Sequence, residues 1–118
     1  MTVLGPVPAD ALGITMMHEH LLADFDWPGL WPATCPIPEL IDRPVEMELL
    51  GLLRRDPFCV RDNLRLADAS AASEELEDFR LAGGGTVVEV TSIGIQRDPL
   101  GLREISLRSG VHIVAGCG

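Results

Sequence analysis

The sequence predicts an α/β protein built on a parallel sheet or barrel. Apolar, strand-like segments recur near residues 14–22, 86–91 and 111–115, and helical patterns precede the second and third of them. The connections late in the chain are short. A strand–helix–strand–helix–strand order with short connections is typical of parallel strands joined by helical crossovers.

The composition limits the classes of partner. The chain has 118 residues, enough for one ordinary domain, and is 47% hydrophobic. With 18 acidic and 9 basic residues its net charge is -9, which argues against nucleic acid and against an anionic membrane surface. The N-terminus lacks the pattern of a signal peptide, and no apolar run has the length of a membrane span. We therefore expect a cytoplasmic protein with a small-molecule partner.

The three cysteines are Cys35, Cys59 and Cys117, odd in number, widely spaced and without a Cys-x-x-Cys pair. This pattern suits a reducing cytoplasm and predicts no disulfide framework. Each is most simply interpreted as a small buried apolar residue. A role for Cys117 as a soft metal ligand is the alternative.

The first half of the chain predicts two strands and a long loop. Residues 2–5 are predicted to form a short strand. Residues 14–22 are predicted to form a strand that is buried on both faces, because apolar residues occur on each face. Residues 24–38 are rich in proline and form a long irregular loop, a type of segment that is often functional. Its tryptophans, Trp27 and Trp31, either contact a ligand or pack the loop down.

Two helices follow. Residues 44–55 carry an apolar stripe, and residues 71–82 form a clearer helix capped by Ser70 or Ser73. Gly83 ends the second helix. The glycine run there leads from a helix into a strand, so it is a helix stop and not a phosphate-binding loop.

The last third predicts a strand, a helix and a strand. Residues 86–91 are β-branched and strand-like. Asp98 caps a helix that has Pro99 at its first position and ends at Gly110. Residues 111–115 form the final strand.

His18 and His20 are the candidate metal ligands. Alternate side chains of a strand share a face, roughly 6.6 Å apart along the backbone, so both imidazoles can converge on one metal ion. A helix would point them apart. The alternative is that both are core or rim histidines bonded to the backbone. Two ligands do not complete a site, since a catalytic zinc normally takes three protein ligands and water.

Two other polar residues lie in apolar strands. Glu89 needs a partner. In a structural role the partner is Arg97 or a helix end, and in a functional role Glu89 forms a hydrogen bond to a metal-bound histidine. His112 opens the third strand, whereas ligands of a parallel barrel gather where strands end, so His112 is interpreted as structural.

Several segments resemble the phosphotriesterase family of the amidohydrolase superfamily. The His-Glu-His signature is the most specific of them, and Met16 is a small departure, since leucine is usual there. The insert at residues 57–64 is closest to the phosphotriesterase-related branch. In chain order the similar segments are residues 2–6, 13–21, 82–86, 94–99 and 110–116.

The resemblance implies a TIM-like (β/α)8 barrel with two divalent metal ions, usually zinc, for which His18 and His20 match the first two ligands. A carboxylated lysine, two further histidines and an aspartate would come from later strands. A barrel of this kind needs about 250 residues, so we expect the chain to be the N-terminal part, about three strands, of a metal-dependent hydrolase. No catalytic residue can be assigned within it.

The resemblance leaves the substrate open among esters, lactones, amides and phosphotriesters, and allows a homodimer in the complete protein. We expect the isolated chain to be inactive. Two alternatives remain, a deoxyribonuclease-like phosphoesterase and a non-catalytic metal- or ligand-binding protein on the same fold.

Overall fold

The computed structural model describes residues 1–26 and 37–117. The strands of the described chain are β1 (Ile14–Glu19), β2 (Ala23–Asp24), β3 (Arg65–Leu66), β4 (Gly84–Glu89) and β5 (His112–Ala115). The main sheet has three parallel strands in the order β1-β4-β5, and a small antiparallel pair, β2-β3, lies outside it.

The α-helices of the described ranges are α1 (Leu50–Leu53), α2 (Ala69–Leu81) and α3 (Pro99–Ser109). Helix α2 precedes β4, and α3 connects β4 to β5, so the predicted alternation of helices and parallel strands is confirmed. None of these helices is long and apolar enough to cross a membrane. Short 3-10 turns occupy residues 9–11, 38–40, 47–49, 61–64 and 93–95.

The caps of the two longer helices are aspartates. The Asp98 carboxylate accepts hydrogen bonds from two backbone amides of the first turn of α3, and Gly110 ends that helix with φ +73°, as predicted. Asp68 caps α2 in the same way, so the prediction of Ser70 or Ser73 as cap is wrong. Ser73 lies one turn inside the helix, where its hydroxyl donates to the Ala69 carbonyl at 2.6 Å.

One hydrophobic core joins the sheet to α2 and α3. Its members are at most 7% exposed, and Val87, Ile105 and Ile113 are fully buried. Leu76 contributes from α2 and Leu102 from α3, so both helices cover the same side of the sheet. This core fixes β4 and β5, and the carboxyl ends of these two strands lie beside the candidate site.

Strand β1 is not buried on both faces, which corrects the prediction for residues 14–22. Ile14 is 66% exposed and Met17 is 70% exposed. The physical reason is that the core formed by the sheet, α2 and α3 includes no residue of β1, so this core does not cover the faces of the strand. The strand also ends at Glu19, because the chain bends there before it enters β2.

The pairing of β1 with β4 contains an irregularity close to the histidines. Met16 pairs with Val87 and Glu19 pairs with Glu89, so three steps along β1 correspond to two steps along β4. One extra residue is therefore inserted in β1 between Met16 and Glu19. Extra residues of this type bend a strand and change the direction of its side chains.

Two further predictions of elements need correction. Residues 2–5 form a tight turn and not a strand, because two backbone hydrogen bonds join Thr2 to Gly5. Within the turn, the Val3 amide donates to the Ile113 carbonyl. The predicted helix over 44–55 starts only at Met47, as a 3-10 turn, since Glu46 is extended and the Val45 amide donates to the Asp62 carboxylate at 2.8 Å.

The cysteines also depart from the prediction. Cys59 is fully buried and disulfide-bonded, and Cys117 is an exposed free thiol and not a buried one. The spacing of cysteines along the chain does not show which sulfurs the fold brings together. The prediction made from that spacing therefore missed the disulfide. The cysteines therefore lend no support to a reducing compartment. Cys35 and the loop tryptophans, Trp27 and Trp31, lie outside the described residues.

Candidate metal site

His18 and His20 lie together at the carboxyl end of β1. His18 is inside the strand and His20 is the first residue after it. The centroids of the two rings are 5.6 Å apart with an interplanar angle of 79°. His18 is exposed and His20 is half-buried. The extra residue in β1 falls in this segment, so the shared space depends on the bend as well as on alternate spacing.

His20 is held from two directions. Its Nδ1 atom is 2.9 Å from the hydroxyl oxygen of Thr91, two residues beyond the end of β4. Its ring also meets Phe25 edge-on, with centroids 5.4 Å apart at 81°. No described residue is hydrogen-bonded to Nε2, which is therefore the ring nitrogen open to a metal ion.

Glu89 is fully buried behind Thr91. Its Oε1 atom accepts hydrogen bonds from the Thr91 amide, at 3.2 Å, and from the Thr91 hydroxyl. Its Oε2 atom has no partner within the described ranges. Arg97 forms no ion pair with Glu89 in the described structure, and its guanidinium donates to the Gly116 carbonyl instead. Glu89 thus reaches the histidine pair through Thr91, and the interpretation as an ion pair with Arg97 is wrong.

Four charged residues hold the segment that follows His20. Arg65 lies 3.3 Å from Asp24 and 3.0 Å from Asp26, and Arg61 lies 2.7 Å from Asp26. The two arginines are 41–45% exposed, so each pair contributes modestly to stability. Their effect is positional, because they tie residues 23–26, and with them Phe25, to residues 61–65.

The remaining candidate groups lie apart from the pair. His112 opens β5 and pairs in register with Thr86, near the amino ends of the strands, as predicted. Within residues 1–26 and 37–117, no three histidine, cysteine, aspartate or glutamate side chains are grouped as a metal site requires. The two imidazoles therefore fit a zinc site in donor type but supply only part of it.

A cleft of about 520 Å³ lies between β1 and α2. The residues that line it include Met16, His20, Arg65, Leu76 and Phe79. The size is in the range of small-molecule sites. His20 lines the cleft and His18 does not, so the cleft reaches one of the two imidazoles.

Sequence reasoning missed Thr91 and Phe25. Thr91 could have been found, because it is two residues after Glu89 and therefore shares its side of an extended segment. Phe25 gave no usable signal, since its contact with His20 depends on the turn between β1 and β2.

Comparison with known proteins decides the family. The sequence profile of the phosphotriesterase family matches residues 1–118. The chain belongs to the phosphotriesterase family. An N-acetyltaurine hydrolase of Salmo salar is 44% identical over 119 residues, and the match covers 99% of this chain and 34% of that protein. The N-acetyltaurine hydrolase of Rattus norvegicus is 40% identical with the same coverage.

Solved structures of the phosphotriesterase family share the fold. A resiniferatoxin-binding protein from Rhodobacter sphaeroides superposes with a TM-score of 0.89 at 44% identity, over 100% of this chain and 33% of its own. A lactonase from Listeria monocytogenes gives 0.65 at 26% identity, over 99% and 27% of the two chains. A mutant organophosphorus hydrolase from Deinococcus radiodurans gives 0.60 at 29%, over 99% and 28%.

These similarities confirm the predicted fold class and family. The three parallel strands and their helices are part of a TIM-like (β/α)8 barrel, in a family of hydrolases. The chain spans about a third of the length of the curated relatives it matches, 34% for each of those named above.

Proposed function

We propose that this chain contributes the first two metal ligands, His18 and His20, to a zinc-dependent hydrolase of the phosphotriesterase family. The observation that carries the proposal is the pair of rings 5.6 Å apart at the carboxyl end of β1. In α/β barrels, catalytic groups gather at that end of the strands. The free Nε2 of His20 supports it, and a second metal ion is implied by the family resemblance.

The chemistry follows from what zinc supplies when bound: it polarises a carbonyl or phosphoryl oxygen and lowers the pKa of a bound water. The residues of this chain bind and orient. His18 and His20 act as neutral imidazoles, while Glu89 lies behind Thr91 and supports His20 indirectly. Partners of this type commonly fix the orientation of a ligating histidine. The general base and remaining ligands are not among these residues.

We further propose an amide as the substrate class, within a small N-acyl compound. The support is similarity, since relatives named N-acetyltaurine hydrolase are 38–44% identical to this chain. The lactonase and organophosphorus hydrolase structures are only 26–29% identical. The match of residues 1–118 to the phosphotriesterase family favours this proposal over the deoxyribonuclease-like alternative.

A non-catalytic ligand-binding protein is the second candidate. It is favoured by one observation: the structure with a TM-score of 0.89 is named a resiniferatoxin-binding protein. Metal ligands and ligand binding are compatible on one fold, so only turnover separates the two functions.

Zinc titration of the chain tests the ligand assignment. We expect calorimetry near neutral pH to detect weak binding of one zinc ion, because two imidazoles are fewer ligands than a closed site has. The double variant His18→Ala/His20→Ala should lose this binding. His112→Ala is the matched control and should keep it, since His112 lies at the other end of the strands. Tight binding that survives the double substitution would place the ligands elsewhere.

A chimera tests turnover. We expect a protein in which this chain replaces the matched 119 residues of the Salmo salar relative to hydrolyse N-acetyltaurine with added zinc. His18→Ala in the chimera should lower kcat/KM by at least 100-fold, since loss of a metal ligand removes the Lewis acid, roughly 3 kcal/mol or more of transition-state stabilisation.

The chimera with His112→Ala should retain its turnover. A folded, zinc-loaded chimera that binds N-acetyltaurine without hydrolysing it would favour the ligand-binding protein instead.

A further inference from the structure

We propose that Thr91 is a positioning residue that fixes the tautomer of His20, with the proton on Nδ1 and the lone pair of Nε2 directed to the metal. The inference deepens the proposed function and rests on it for the identity of the metal ligand. Thr91 acts through the histidine ring, with which its hydroxyl forms a hydrogen bond, so it is a positioning residue and not a catalytic one.

The count of protons carries the inference. The Thr91 hydroxyl has one proton, and it donates that proton to Glu89 Oε1. The same Oε1 accepts the Thr91 amide at 3.2 Å, which identifies it as an acceptor. The hydroxyl oxygen is then left only with lone pairs for His20. The hydrogen bond of 2.9 Å therefore requires the proton to be on Nδ1 of the imidazole.

Burial prevents the hydroxyl from turning to another partner. Thr91 and Glu89 are both 0% exposed, so water does not compete for the Thr91 proton. The backbone around them is fixed on both sides. The Val90 amide donates to the Glu19 carbonyl at 2.9 Å, and the Gly116 amide donates to the Glu89 carbonyl at 2.7 Å. Strands β1, β4 and β5 thus hold the threonine at a set distance from the ring.

His18 provides an internal contrast. Its imidazole contacts the His20 ring, and no described residue forms a hydrogen bond with either of its nitrogens. Nothing in the described structure selects its tautomer. An unconstrained neutral imidazole favours the proton on Nε2, so the two histidines should differ in the absence of metal.

Nitrogen NMR of the metal-free chain tests the inference directly. Long-range ¹H–¹⁵N spectra at about pH 8, where imidazole is neutral, separate protonated from unprotonated ring nitrogens. We expect His20 to carry its proton on Nδ1 and His18 to carry most of it on Nε2. In Thr91→Val, the tautomer of His20 with the proton on Nε2 should become more populated. In Thr91→Ser, the spectrum should remain that of the wild type.

Thr15→Val is the matched control. Thr15 lies in β1, and its hydroxyl donates only to the Gly13 carbonyl, so this variant should leave the His20 signals unchanged. The signals of His112 in the same spectra report whether the sheet is intact. A wild-type spectrum with the His20 proton on Nε2 overturns the inference, as does a Thr91→Val variant that keeps it on Nδ1.

Zinc titration of the same variants separates this inference from the proposed function. We expect Thr91→Val to weaken zinc binding roughly 10- to 100-fold, the usual effect of removing such a partner, and Thr91→Ser to retain it. If the NMR result is as expected but His18→Ala/His20→Ala does not change zinc binding, the proposed function fails and the tautomer assignment stands.

Discussion

Replacing Leu102 with alanine should lower the free energy of unfolding by about 2–5 kcal/mol. Leu102 lies on α3, is 1% exposed and belongs to the core cluster that joins both helices to the sheet. Its removal deletes buried methyl groups and leaves a cavity that its neighbours, among them Ile105 and Ile113, fill only in part. The cost is large because a typical domain has a net stability of only about 5–15 kcal/mol.

Urea unfolding followed by circular dichroism measures this effect. Leu107→Ala is the matched control, because Leu107 is on the same helix but is 57% exposed. Its substitution should change stability by less than about 0.5 kcal/mol. Equal losses for the two variants would contradict the assignment of the core to the side of the sheet that α2 and α3 cover.

Gly85→Ala should lower the free energy of unfolding by about 1–3 kcal/mol or more through a steric clash. A Cβ atom at this position would lie 2.5 Å from the Leu12 carbonyl oxygen and 3.3 Å from the Gly13 Cα. Both obstacles are backbone, so no side chain can turn away to make room. The Thr86 hydroxyl donates to that same carbonyl, so a shift also strains this hydrogen bond.

Gly51→Ala is the control for Gly85→Ala. Gly51 lies in α1 with open space around its Cα, and alanine there should be neutral or stabilising by about 0.5–1 kcal/mol. Urea unfolding compares the two. If Gly85→Ala unfolds at the wild-type urea concentration, then the close approach of β4 to the segment before β1 is not formed in solution.

The sequence was a reliable guide wherever a local pattern decides the structure. Asp98, Pro99 and Gly110 define a helix through capping and backbone preferences alone, and the structure has that helix at Pro99–Ser109. The closeness of the two imidazoles was also predictable from their alternate spacing, whereas their role as metal ligands stays a prediction. The resemblance to the phosphotriesterase family also rests in part on the segments that contain these residues.

Features that depend on contacts between distant parts of the chain could not be predicted from the sequence. The exposure of β1 depends on which distant elements pack over its faces, and the disulfide at Cys59 depends on which sulfur the fold brings near. Thr91 meets His20 across 71 residues of sequence. A contact of that separation leaves no periodic signal, so the spacing in the sequence links Thr91 to Glu89 but not to His20.

The extra residue in β1 places a constraint on length and not only on residue type. Between Met16 and Glu19 the strand takes three steps while β4 takes two, and His18 lies in that interval. Deleting Met17 would equalise the two counts within this interval, but the side chains before the deletion would then face the opposite way relative to His20. The site therefore tolerates exchange of side chains in this segment more readily than a change in their number.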